Sequence, residues 1–199
     1  MVDDVQMKNL LLIFLCAAGS CFAVESSVSV SSAAVGNESG KIVAINNFAV
    51  DKYMGKWFEI ARLPVYFEKR CVAPVTTEYV HKGDEIQITN NCATVSGDIY
   101  TRNGVAYLSE NNLNGDGRLI VTSFPTWLRW THLGRSDYWI IYADASYTMV
   151  ASPDTKYLWI YSREETPALE DIQRLISIAE QQGFDTAKLI FNYPSYYAK

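Results

Sequence analysis

The chain has 199 residues, enough for one domain with a sizeable core plus a leader, and its 49% hydrophobic and 13% aromatic content is that of a globular protein rather than a disordered one. A net charge of -5 with no basic block argues against a nucleic-acid partner and against electrostatic docking on anionic lipid. Two His far apart and four Cys, two of them in the leader, form no zinc-ligand spacing, so neither a metal nor a cofactor is expected.

Residues 7–23 read as an export signal, with Lys8 as the positive charge, an apolar stretch over 10–15 and small residues at Ala17, Ala18, Gly19 and Ser20. The acidic pair Asp3 and Asp4 is foreign to such a leader, which makes Met7 the candidate start. An apolar run of about ten residues is too short to remain as a spanning helix. Two processing routes stay open. Ala18-Gly19-Ser20-Cys21 is acceptable as a lipobox with Cys21 lipidated, and Cys21-Phe22-Ala23 permits ordinary cleavage before Val24. Residues 24–43 are then a flexible linker, rich in Ser and small residues between 25 and 40, of the kind that holds a lipidated domain off a membrane.

The folded domain is expected over 44–193, with a tail at 194–199. Asn47, Phe48 and Asp51-Lys52-Tyr53-Met54 read as one helical turn capped by a polar residue. Gly55 allows a sharp turn into a strand over 57–63, where Trp57 supplies a ring large enough to plug one end of a small barrel. Period-2 alternation puts Glu59 and Ala61 on the face of Trp57. Further strands are expected over 75–80, 85–90, 98–101, 104–109, 118–124, 137–142, 147–151 and 157–162, separated by turns such as His81-Lys82-Gly83-Asp84. Repeated short strands indicate a sandwich or a barrel. The period then changes. Leu169, Ile172, Leu175, Ile176 and Ala179 fall at helical spacing over 167–182, with Thr166 as N-cap, Pro167 in first position and Gly183 as the stop; a short strand follows over 188–192.

Three blocks carry a resemblance to a known family: Asn47-Phe48 with Gly55-Lys56-Trp57-Phe58-Glu59-Ile60-Ala61-Arg62; Tyr138-Trp139-Ile140-Ile141-Tyr142-Ala143-Asp144 with Tyr147; and Tyr157-Leu158-Trp159-Ile160-Tyr161-Ser162-Arg163 before a helix. With this spacing the chain resembles the lipocalins, most closely the branch of bacterial lipocalins and apolipoprotein D, over roughly residues 44–193. One departure is Ala143-Asp144-Ala145, where many lipocalins have Thr-Asp-Tyr. The resemblance implies an all-β fold: an eight-stranded antiparallel up-and-down barrel with one C-terminal helix packed outside. It makes Gly55, Trp57, Asp144 and Arg163 structural, with Arg163 packed over the Trp57 ring. It implies a cavity whose ligand-binding residues are Tyr79, Asn90 and Trp139, joined by Ile88 and Ile141 on the same faces.

Cys71 and Cys92 are the two Cys left in the domain, and in an exported chain they are expected to form a disulfide. The alternative is a reactive Cys71, because one lipocalin branch, the prostaglandin D synthases, uses a cavity Cys. The implied function is binding, storage or transport of a fatty acid or lysophospholipid at the bacterial envelope. The implied location is the periplasmic face of the outer membrane through a lipid anchor, with a soluble periplasmic or secreted form as the alternative. A lipocalin-type enzyme using Cys71, His81 or Glu59 and a ligand-free structural envelope protein are the rival readings. The loop Phe124-Pro125-Thr126-Trp127-Leu128-Arg129-Trp130-Thr131-His132 is expected at the open mouth beside the loop 64–71. There Trp127, Leu128 and Trp130 either fold down as a lid or enter a bilayer interface.

Overall fold

The computed structural model describes residues 42–109, 115–131 and 133–192. The export signal with Cys21, most of the linker, His132 and the tail lie outside the described residues, as does the side chain of Trp130. Among the described residues the strands are β1 Gly55–Arg62, β2 Cys71–Lys82, β3 Glu85–Thr94, β4 Ile99–Leu108, β5 Arg118–Thr122, β6 Arg135–Ala143, β7 Tyr147–Ala151, β8 Leu158–Ser162 and the short β9 Ile190–Phe191. Each of β2 to β7 pairs antiparallel with the next. β1 pairs with both β8 and β2, which closes an eight-stranded barrel with no free edge. β9 adds to β1 only at Ala61 and Arg62. Helix α1 Val50–Tyr53 precedes β1, and helix α2 Leu169–Gln181 follows β8.

Several boundaries differ from those expected. β4 is one strand rather than two, because Arg102, Asn103 and Gly104 stay in register with Asn90, Thr89 and Ile88 of β3; pairing overrides their weak strand preference. The caps of α1 and α2 are Ala49 and Ala168, neither with a side-chain cap bond, in place of a polar cap and Thr166. Ile42 is already buried, so the packed part of the chain begins inside the stretch expected as linker.

The strand walls carry apolar side chains on both faces. Trp57, Tyr79, Ile86, Ile88, Leu119, Tyr138, Ile140 and Tyr161 form the inner cluster. Ala61, Leu63, Ile141, Met149, Leu158 and Ile160 form an outer one, covered by Leu175 and Ala179 of α2 with Trp139 packed at its margin. Two bulges set which residue faces which way. A register shift between Glu59 and Ala61 in β1 turns Ala61 outward and Arg62 inward, which corrects the expectation that Ala61 shares the face of Trp57. A second shift lies between Ile140 and Tyr142 in β6.

The closed end is built around Trp57. Its indole Nε1 donates to the Tyr53 carbonyl at 2.8 Å, and the Arg163 guanidinium lies 3.6 Å from its ring centroid. Arg163 also donates to the carbonyls of Lys56 at 2.9 Å, Met54 at 2.8 Å, Lys52 at 3.0 Å and Tyr53 at 3.3 Å. Gly55 has φ +92°, the left-handed conformation that lets the chain turn under Arg163 into β1. The segment before α1 crosses the same end: Ile45 N–H donates to the Ile140 carbonyl at 2.9 Å, and Gly117 N–H donates to the Ile45 carbonyl at 2.8 Å. A Cβ on Gly117 would lie 2.7 Å from the Ile140 carbonyl oxygen, so only glycine permits this approach. At the opposite end the Cys71–Cys92 disulfide ties β2 to β3.

Candidate functional site

A cavity of about 380 Å³ opens at the end away from Trp57. That volume is at the low end of the range of roughly 300–1,000 Å³ typical of small-molecule sites. Its wall is lined by Ile88 and Asn90 of β3, Arg102 of β4, Val121 of β5, Tyr138 of β6, and Trp159 and Tyr161 of β8. Tyr66 and Phe67 from the loop after β1, Phe124 from the loop after β5 and Tyr157 from the loop after β7 complete the mouth. The lining mixes aromatic rings with polar and charged side chains, Glu68, Asn103, Ser136 and Asp137 among them, and has few aliphatic ones.

Beneath the cavity the barrel is solid. Tyr53, Trp57 and Tyr79 stack with ring centroids 5.6 and 4.8 Å apart, and the hydroxyls of Tyr79 and Tyr138 meet at 2.5 Å. Burial pushes the Tyr53 phenol up to about 12 and the phenols of Tyr79, Tyr138 and Tyr161 well above their ordinary range, so all four stay neutral.

A charged group flanks the cavity. Arg62, turned inward by the bulge, donates from Nε to Glu68 Oε2 at 2.6 Å and from Nη2 to the Glu68 carbonyl at 3.1 Å, with Glu59 Oε1 at 3.2 Å from Nε. Glu68 Oε1 accepts from Trp159 Nε1 at 3.3 Å, and Glu59 Oε1 accepts from Asn192 Nδ2 at 2.9 Å. Burial, then the neighbouring Glu68 carboxylate, holds Glu59 well above the usual carboxylate range against the opposing pull of Arg62. Burial also raises Glu68, again opposed by Arg62. Protonation is favoured more at Glu59, the deeper of the two and the farther from Arg62, than at Glu68, which Arg62 and Arg102 both attract. These bonds draw the loop carrying Glu68 into the mouth. A chamber of about 20 Å³ behind Phe67 and Glu68, bordered by Glu59, Asn90 and Arg102, has room for about one water molecule.

Of the residues expected to bind ligand, Ile88 and Asn90 line the cavity, and Asn90 Oδ1 accepts from Thr77 Oγ1 at 2.7 Å. Tyr79 lies in the aromatic floor and reaches the cavity through Tyr138. Trp139 and Ile141 need correction: both face the outer cluster under α2, and the residues turned inward are Tyr138 and Ile140. Trp159, Tyr161 and Phe67 were missed. A signal for two of them was present, since Arg163 covers Trp57 and alternation back along β8 places Tyr161 and Trp159 on the same face. Asp144 holds the β6–β7 turn by accepting from Ser146 N–H at 2.8 Å and Tyr147 N–H at 2.7 Å.

Of the three alternative reactive groups of the enzyme reading, Glu59 is buried beside the cavity, bound to Asn192 and close to Arg62. Cys71 is in the disulfide, and exposed His81 lies beside Asp51 near the other end of β2, about 33 Å from Cys71 at ordinary strand rise. Trp127 is 74% exposed, so it does not fold down as a lid.

Comparison with known proteins bears on what such a cavity is for. The family profile described as a lipocalin-like domain matches residues 48–194. The outer membrane lipoprotein Blc of Vibrio cholerae serotype O1 is 34% identical over 152 residues, covering 74% of this chain and 83% of that protein. Apolipoprotein D of Mus musculus is 28% identical over 151 residues, covering 72% and 75% respectively. Among solved structures, insecticyanin from the tobacco hornworm Manduca sexta superposes with a TM-score of 0.60 at 20% identity, covering 77% of this chain and 84% of that one.

Proposed function

The chain belongs to the lipocalin family, and from that premise we propose that it binds and carries one single-chain amphiphile, a fatty acid or lysophospholipid, in its barrel cavity. The observation that carries the reading is the cavity itself, walled by aromatic rings and polar side chains, open at one end and closed at the other by Trp57 and Arg163. Its size suits one acyl chain rather than two. The chain would lie against Ile88, Tyr138 and Tyr161, with the head group near Asn90 and Arg102.

The setting of this activity is the cell envelope. An export signal at 1–23, lipidation at Cys21 and a linker would tether the domain to the outer membrane, and the relative from Vibrio cholerae is named an outer membrane lipoprotein. The rim supports contact with a lipid surface. Tyr66, Val95, Ile99, Phe124, Trp127 and Leu133 are all exposed on loops or strand ends at the open end. Such a rim would enter the bilayer interface and take up a lipid without exposing its tail to water.

The test is displacement of N-phenyl-1-naphthylamine, a neutral fluorescent probe, by a fatty acid and by a lysophospholipid. The reading expects one probe per barrel, displaced by a single-chain amphiphile and abolished by Ile88→Trp, which fills the cavity. Probe binding that Ile88→Trp leaves intact would place the site elsewhere.

A further inference from the structure

We propose that Tyr138 and Tyr161 select an amphiphile whose buried chain carries a hydroxyl group at its far end. This rests on the cavity reading above and narrows its ligand class. Among the described residues, the only aliphatic side chains that line the cavity are those of Ile88 and Val121. A plain acyl chain gains most from a wall that stays apolar to its end. The deep wall here carries hydroxyls instead. Tyr138 of β6 and Tyr161 of β8 both line the cavity, and both are buried. Tyr161 lies four residues along the chain from Tyr157 at the mouth, about 13 Å at ordinary strand rise, a depth that the end of a medium-length chain reaches.

The hydroxyls form a run. Those of Tyr79 and Tyr138 meet at 2.5 Å, and that of Tyr161 interacts with those of Tyr138 and Thr77. Thr77 Oγ1 donates to Asn90 Oδ1 at 2.7 Å. Asn90 Oδ1 only accepts, so the one hydrogen of Thr77 is committed there, and Tyr138 and Tyr161 can each direct theirs to a neighbour in the run. Every hydroxyl oxygen has two lone pairs, which leaves the run with spare acceptor sites and few donors. A methyl end laid on it offers no hydrogen bond, and a carbonyl sets acceptor against acceptor. A ligand hydroxyl donates to the run and completes it. Glu59 and Glu68 both act electrostatically on Tyr161, so a further carboxylate is disfavoured at this depth where a neutral hydroxyl is not.

The experiment measures displacement of N-phenyl-1-naphthylamine by laurate, 12-hydroxylaurate and 2-hydroxylaurate, for the wild type, Tyr161→Phe and Tyr138→Phe, with the ratio of affinities as the readout. The wild type should bind 12-hydroxylaurate about threefold or more tighter than laurate. The hydroxyl of 2-hydroxylaurate stays beside the carboxylate at the mouth and should bring no such gain. In Tyr161→Phe the order should reverse, with laurate about tenfold tighter than 12-hydroxylaurate, because the ligand hydroxyl then leaves water without finding a partner. A wild type that binds 12-hydroxylaurate no tighter than laurate overturns the proposal. A preference that survives in both Tyr161→Phe and Tyr138→Phe overturns it too, as does an equal gain for 2-hydroxylaurate, which places the preference at the mouth. In each of these cases binding of laurate still supports the cavity reading. If the folded wild type binds neither the probe nor laurate, the cavity reading itself fails and takes this proposal with it.

Discussion

Replacing Arg163 with alanine tests what closes the barrel. Arg163 is only half-buried, yet one side chain holds four main-chain carbonyls of the turn between α1 and β1 and covers the Trp57 ring at 3.6 Å. The cation–π contact contributes about 1 kcal/mol. The two short bonds, to Met54 at 2.8 Å and Lys56 at 2.9 Å, contribute about 1 kcal/mol each after exchange with water. The longer bonds to Lys52 and Tyr53 add little, because water can replace them. The total, about 3 kcal/mol, lowers the midpoint of thermal unfolding by roughly 6–12 °C for a domain of this size. Circular dichroism at 218 nm or differential scanning calorimetry reads the shift. Arg163→Lys should recover less than half of it, because an ammonium cannot span several carbonyls and stack on the ring at once. An Arg163→Ala midpoint within about 2 °C of wild type would refute the reasoning, since the contacts would then contribute no more than an exposed charge does.

Two further predictions follow from the corrected faces of the barrel. Glu59 is held above its ordinary 4.5, so the folded chain binds that proton more tightly than the unfolded one. Its contribution to stability is therefore full below 4.5 and declines as pH rises through the raised folded value, while the depressed carboxylates Asp116, Asp144, Asp154 and Asp171 stabilise fully above about 3.8 and lose that stabilisation only as pH falls below it. Glu59→Gln keeps the acceptor for Asn192 and should remove most of the fall in thermal midpoint between about pH 5 and pH 8; an unchanged slope would show that Glu59 is ionised throughout. Trp139→Ala should cost about 2 kcal/mol of stability through lost packing under α2 and leave probe affinity within about twofold. A large loss of affinity in a stable Trp139→Ala variant would return that ring to the cavity.

The fold was legible because its signals are local and redundant: alternation within strands, glycines at turns, helical spacing of Ile172, Leu175 and Ala179, and the blocks around Trp57 and Arg163. The cavity was less legible, for a physical reason. Strands β1, β6, β7 and β8 pack the inner cluster on one face and the outer cluster under α2 on the other, so Tyr138-Trp139-Ile140-Ile141 has no polar partner to say which way it points. A face assignment there depends on register, and the bulges beyond Glu59 and Ile140 shift that register. Ala61 and Arg62 thereby exchanged faces, and the charged group around Arg62 could not be foreseen from alternation. Arg102 was obscured differently. It sits in Arg102-Asn103-Gly104, a sequence that reads as a turn, and only pairing with β3 draws it into the wall.

The measurement that tests the central claim most directly is mass spectrometry of lipid bound to the full chain, expressed with its leader and purified without detergent. The account predicts one single-chain amphiphile per barrel, released on denaturation and missing from the Ile88→Trp variant. A folded wild-type protein that carries no lipid, and takes up none when incubated with fatty acid or lysophospholipid, would contradict it.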